Sequence, residues 1–179
     1  MKKYIALFRG INVGGHNLLP MTDLVEILAG LGAQNAKTYI QSGNAVFQFK
    51  DSDVKELANA ISMAVEAKCG FSPRVLILTV EDLDRAMDEN PFPVPEGDGS
   101  TLHLGFLAEE PENVDIGKLA NLKTESEHYC LTPQVFYLYA PDGVGRSKLA
   151  AGAEKIIGVE MTDRNWNTVC KIREMVENL

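Results

Sequence analysis

Thr38-Tyr39-Ile40-Gln41-Ser42-Gly43-Asn44-Ala45-Val46-Phe47-Gln48-Phe49 is the stretch that decides the fold. Residues 38–41 and 45–49 are rich in β-branched and aromatic side chains, and Gly43-Asn44 between them is a hairpin-turn dipeptide. Strands joined so tightly pair antiparallel. Upstream, Leu24, Ile27, Leu28 and Leu31 fall at helical spacing behind a Thr22 cap, with Gly32 as the stop. Residues 4–8 before that helix read as a short buried strand. Downstream, Ser52 or Asp53 opens a helix with Val54, Leu57, Ala58, Ile61 and Val65 on one face, ended by Gly70. Residues 74–80 add a further β-rich run. The order is β-α-β-β-α-β, the ferredoxin-like split βαβ plan. It makes the first and third strands antiparallel neighbours and puts both helices on one sheet face, leaving the other face open.

The rest of the chain repeats this in outline. Leu83, Ala86 and Met87 suggest a short helix ending before Pro91, and residues 91–100, with three prolines and two glycines, read as a linker. Beyond it lie a strand at 102–107, a short helix at 116–122, strands at 128–131 and 135–139, a helix from Ser147 and a last helix from Thr162. The expected class is therefore α+β. A ferredoxin-like subdomain spans 1–90, and a second α/β subdomain of β-α-β-β-α outline, ending in a helix, spans 101–179.

Bulk properties narrow the function classes. With 179 residues, 45% hydrophobic and 23% charged, the chain can build a core without disulfides or metals. Lys2 and Lys3 precede an apolar run, but Arg9 ends it too early for an export signal. The run at 75–80 is too short to span a bilayer. Cys69, Cys130 and Cys170 are odd in number and form no Cys-x-x-Cys, as in a reducing cytoplasm. A net charge of −8 argues against binding duplex nucleic acid. His16, His103 and His128 lack metal-ligand spacing, so no metal is expected. There is no Gly-x-Ser-x-Gly elbow and no Walker loop. No cofactor is indicated and no catalytic residue stands out.

Four segments concentrate glycine, amide and arginine. Arg9, Asn12, Gly14 and Gly15 follow the first strand, where glycines can bring backbone N–H groups close to a phosphate. Ser42 and Asn44 lie at the hairpin. Arg146, Ser147 and Lys148 open a helix as an anion seat would. Arg164, Asn165 and Asn167 surround Trp166, which shares a helical face with Val169, Ile172 and Val176 and reads as a core residue. Arg164 falls in the first turn of that helix, where the macrodipole disfavours a cation. Three of the six arginines sit in these segments, and a guanidinium fork suits phosphate or carboxylate.

These segments also carry a family likeness. Phe8-Arg9-Gly10-Ile11-Asn12-Val13-Gly14-Gly15, residues 38–44, Asn90-Pro91-Phe92 and residues 162–168 resemble, in order, the recurrent blocks of the bacterial family DUF 1697. The resemblance implies a small cytosolic α/β protein with ferredoxin-like elements and assigns no catalytic residue. The leading expectation is a small anionic ligand of nucleotide or phosphate type at the twelve residues named above. A protein-interaction module on the open sheet face, using Tyr129, Tyr137 and Tyr139, is one alternative. The other is a single-stranded RNA binder, since residues 42–49 echo an RRM motif but lack its leading basic residue and an aromatic after the glycine.

Overall fold

A computed structural model describes residues 1–94 and 96–179. In the first half, β1 (Lys2–Arg9), α1 (Met21–Gly30), β2 (Gln34–Tyr39), β3 (Asn44–Phe49), α2 (Val54–Cys69) and β4 (Arg74–Thr79) follow one another. The sheet order is β2-β3-β1-β4, and every pairing is antiparallel. β1 therefore neighbours β3, as the split βαβ plan requires. Tyr4, Ala6, Phe8, Ala45 and Phe47 pack with Leu24, Leu28, Leu57, Ile61 and Val65 of the two helices in one core. Asp53, not Ser52, caps α2: its carboxylate accepts from Lys55 and Glu56 N–H at 2.9 and 3.0 Å. Gly70 ends the helix in the left-handed region at φ +79.

Three local expectations need correction. α1 begins one residue before Thr22, after Pro20, and no side chain caps it. β2 runs from Gln34, and the connection to β3 is a four-residue turn, 40–43, with Asn44 already in β3. Its start is polar and exposed and is bulged between Gln34 and Lys37, so it lacks the alternation that reveals a half-buried strand. The supposedly open sheet face is closed to solvent: Ile5 is 0% exposed, Leu7 and Val46 are 1%, and Leu78 is 9%.

After α3 (Val80–Asp88), the second sheet is built from β5 (Leu102–Leu107), α4 (Ile116–Leu122), β6 (His128–Leu131), β7 (Val135–Tyr139), α5 (Lys148–Ile157) and β8 (Met161–Asn165). Its order, β6-β7-β5-β8, repeats that of the first sheet. Phe136, Leu138, Leu119, Leu149, Ala153 and Ile157 form its helix-side core. β8 is the strand that sequence patterning missed: Met161-Thr162-Asp163-Arg164-Asn165 is polar and short, and only its pairing with the fully buried β5 makes it a strand. The second half is thus β-α-β-β-α-β rather than β-α-β-β-α. The last helix, α6 (Trp166–Glu177), begins four residues later than Thr162, and Asn165 caps it by accepting from Thr168 N–H at 2.9 Å.

The chain divides into two compact units, Met1–Arg85 with Lys171–Leu179, and Ala86–Cys170. Of the expected linker at 91–100, residues 91–94 and 96–100 fall within the second unit, and Pro95 lies outside the described residues. No helix among the described residues is long and apolar enough to cross a membrane.

Candidate functional site

At one end of the first sheet, β1 ends, β3 and β4 begin, and the glycine-rich loop leaves toward α1. Asn12 is the hub of that loop. At φ +53 it donates from Nδ2 to the carbonyls of Leu19 (3.0 Å) and Gln41 (2.9 Å), and its Oδ1 accepts from Leu19 N–H at 2.8 Å. Asn17 donates to the Gly10 carbonyl at 2.9 Å. The loop is thereby fastened to itself and to the β2–β3 turn. Gly43 lies beneath it at φ +81: an added Cβ would come within 2.5 Å of Phe8 Cβ and 2.6 Å of Ile11 Cδ1. Asn44, 1% exposed, donates to Tyr39 O and Ser42 Oγ. Asn12 and Asn44 therefore shape the site with their amides, while Gly14, Gly15 and Ser42 are exposed around it.

Arg9 stands directly opposite Arg74 in the β1–β4 register. Phe8 points to the helix side, so both guanidinium side chains extend from the other face, Arg9 half-buried and Arg74 exposed. Like charges directly opposite across an antiparallel pair cost free energy. A guanidinium fork suits the oxygens of a phosphate group. Sequence reading missed Arg74 because only the strand register makes it Arg9's neighbour; a cation at the end of one strand and at the start of another was the available signal.

In the second unit, Arg164 lies on β8 opposite Leu104, not in the first turn of a helix, and the dipole argument for it falls. It donates to the Asp163 carbonyl at 2.8 Å, and burial lowers its pKa to about 10 against the opposing pull of Asp163. The neighbouring polar residues tie parts of the unit together. Asn167 accepts from Gly99 N–H and donates to Asp98 Oδ1, each at 2.9 Å. The backbone N–H of Ser100, the Asn167 amide and the Ser100 hydroxyl hold the Asp98 carboxyl below its ordinary range. Asp163 Oδ2 lies 2.7 Å from Nδ1 of His103, whose Nε2 is 2.9 Å from the Ser100 carbonyl.

The third group surrounds the start of α5. Ser147 caps that helix by accepting from Ala150 N–H at 2.9 Å, and its hydroxyl bonds the carboxylate of Glu127, which is 4% exposed. Burial raises the Glu127 carboxyl, but bonds from Ser147 and Thr124 outweigh it and hold the pKa below the ordinary value. A carboxylate of the chain itself thus occupies Ser147, leaving Arg146 and Lys148 exposed. The spacing Thr124-x-x-Glu127, a capping-box signature, was the sequence signal for this buried acid.

The predicted residues accordingly fall into three groups: Arg9, Asn12, Gly14, Gly15, Ser42 and Asn44; Arg164, Asn165 and Asn167; and Arg146, Ser147 and Lys148. Of the residues named for the alternatives, Phe47, Phe49 and Tyr137 are buried, while Tyr129 and Tyr139 are half-buried. Phe47 and Phe49 of the RRM-like stretch are in the helix-side core and cannot stack bases. Tyr137 is 0% exposed and donates to the Ala86 carbonyl at 2.9 Å. Among the described residues, no group of three or more His, Cys, Asp or Glu is placed to hold a metal ion.

Comparison with known proteins bears on the whole chain. The family described as "Protein of unknown function (DUF1697)" matches residues 1–137. A search of curated protein sequences finds no match. Among solved structures, a conserved bacterial protein from Streptococcus pneumoniae is similar, with a TM-score of 0.72, 24% identity and 98% of each chain covered. That likeness is one of fold.

Proposed function

The chain belongs to the DUF1697 family of proteins of unknown function, and from that starting point we propose that it binds a small phosphate-type anion at the end of its first sheet. The observation that carries the reading is the direct Arg9–Arg74 pairing across β1 and β4. A chain of net charge −8 places two guanidinium groups opposite each other at the end where its glycine loop begins. An anion reached by both forks gains charge-assisted hydrogen bonds. The exposed Gly10, Gly14 and Gly15, at φ +72, +59 and +78, present backbone without side-chain cover beside the same strand end. We place this activity in the cytoplasm, in keeping with Cys69, Cys130 and Cys170 all being free thiols.

Calorimetric titration with inorganic pyrophosphate tests the reading. Arg9→Ala and Arg74→Ala should each weaken binding about 10-fold or more, the loss expected for one charge-assisted bond. Arg146→Ala and Lys148→Ala should leave it unchanged. Affinity lost equally in all four variants would mark nonspecific charge attraction and defeat the proposal.

A further inference from the structure

The turn Asp98-Gly99-Ser100 lies on the only tryptophan of the chain. Gly99 is buried against it: an added Cβ would come within 2.9 Å of Trp166 Cβ and 3.0 Å of its Cδ1. Two bonds to the start of α6 hold the turn there, Gly99 N–H to Asn167 Oδ1 and Asn167 Nδ2 to Asp98 Oδ1, and neither changes near neutral pH, since the Asp98 carboxyl is held below its ordinary range. The third tether does change. The Ser100 carbonyl lies 2.9 Å from His103 Nε2, and Asp163 Oδ2 lies 2.7 Å from His103 Nδ1. Both partners only accept, so both bonds need the imidazolium. A neutral ring keeps one N–H. Held toward the Asp163 carboxylate, that N–H leaves a lone pair facing the Ser100 carbonyl, and the tether is lost.

The charges around the ring give its titration to Asp163. On the helix-side face His103 stands opposite Leu138 of β7 and Asn165 of β8, neither of them charged. Arg164 alternates to the other face of β8. The helices α4 and α5 present Leu119, Leu149, Ala153 and Ile157 to the helix side, and Asp98 is engaged by Ser100 and Asn167. Burial lowers the pKa of His103, but the bond to Asp163, its charge and the bond to Ser100 outweigh it and carry the value above 6.5. Beside the turn, Gly97 is exposed at φ +87, a joint that a side chain would stiffen.

We propose that His103 is a proton-operated latch: protonated, it pins the Asp98-Gly99-Ser100 turn over Trp166, and deprotonated, it lets the turn lift about Gly97 and bare the indole. The device lies in the second unit and is independent of the anion reading above.

Trp166 fluorescence reports the latch directly. Acrylamide quenching, followed from pH 5.5 to 9, should rise in one step whose midpoint matches that of the His103 ring protons in NMR. Across that step the protection of the Gly99 amide against exchange, corrected for its intrinsic pH dependence, should fall about 10-fold or more, the worth of one charge-assisted bond. Asp163→Asn keeps an acceptor for Nδ1–H and removes the charge, so both midpoints should move down together by about one pH unit or more. His103→Phe should abolish the step. Quenching that stays flat while the ring titrates, or a ring whose protonation does not change between pH 5.5 and 9, would overturn the latch. A step that persists in His103→Phe, or keeps its midpoint in Asp163→Asn, would belong to another group and overturn it equally.

Discussion

His103 carries the sharpest prediction about stability. Its ring is 7% exposed, with Nδ1 2.7 Å from Asp163 Oδ2 and Nε2 2.9 Å from the Ser100 carbonyl. A carboxylate and a carbonyl only accept, so both bonds form together only when both ring nitrogens carry protons. Burial alone pulls the pKa down; the hydrogen bond to Asp163, its charge and the bond to Ser100 outweigh it, and the net shift is upward from 6.5. A pKa raised on folding adds stability that is complete below about 6.5 and is lost as pH rises through the folded value. His103→Phe keeps the ring and removes both donors. Hydrogen bonds to charged groups are worth about 1.5–3 kcal/mol each, and the 48% exposure of the Asp163 side chain discounts its share. The expected loss at pH 6 is therefore about 2–4 kcal/mol, or roughly 5–12 °C in Tm for a chain of this size. Parallel thermal melts of both proteins from pH 5.5 to 9 read the difference, which should narrow as pH rises. A gap that widens with pH, or nitrogen NMR showing one unprotonated ring nitrogen at pH 6, would refute the doubly protonated bridge.

Gly43→Ala should cost about 2–4 kcal/mol in urea melts, from the left-handed backbone plus a methyl group driven against Phe8 and Ile11; a loss under 1 kcal/mol would mean the turn can shift away from the loop. Tyr137→Phe should cost about 1–2 kcal/mol by leaving the Ala86 carbonyl unpaired in the core, and a stability equal to wild type would show that carbonyl reached by water. Burial, with Glu89 adding to it, pushes the Tyr137 hydroxyl well above its ordinary value. Ultraviolet titration should accordingly find at least one of the five tyrosines silent until the protein unfolds in alkali, whereas all five ionising together in folded protein would contradict the burial of Tyr137.

How legible the fold was depends on where side-chain pattern and backbone pairing agree. α2 was readable from its apolar face, its Asp53 cap and its Gly70 stop, because all three are local. β5, β6 and β7 lie at the positions their apolar and aromatic residues indicated. β8 was not readable: Thr162, Asp163, Arg164 and Asn165 have no strand signature, and their partner in β5 is some sixty residues away. That one miss moved the start of α6 and misplaced Arg164. The site followed the same rule. Asn12, Gly14 and Ser42 were visible as a composition of loop formers, but the work of Asn12 in bracing three segments depends on contacts that spacing does not encode. Arg74 was hidden for the same reason as β8, since a cross-strand neighbour exists only once register is set.

The proposed anion site at the end of the first sheet is tested most directly by following backbone and arginine side-chain NMR signals while inorganic pyrophosphate is added. The account predicts saturable shifts at the Nε–H groups of Arg9 and Arg74 and at the amides of Gly10, Gly14 and Gly15, reversed by added salt. Shifts centred on Ser147 and Lys148 at the start of α5, or none at Arg9 and Arg74 as millimolar pyrophosphate is added, would contradict it.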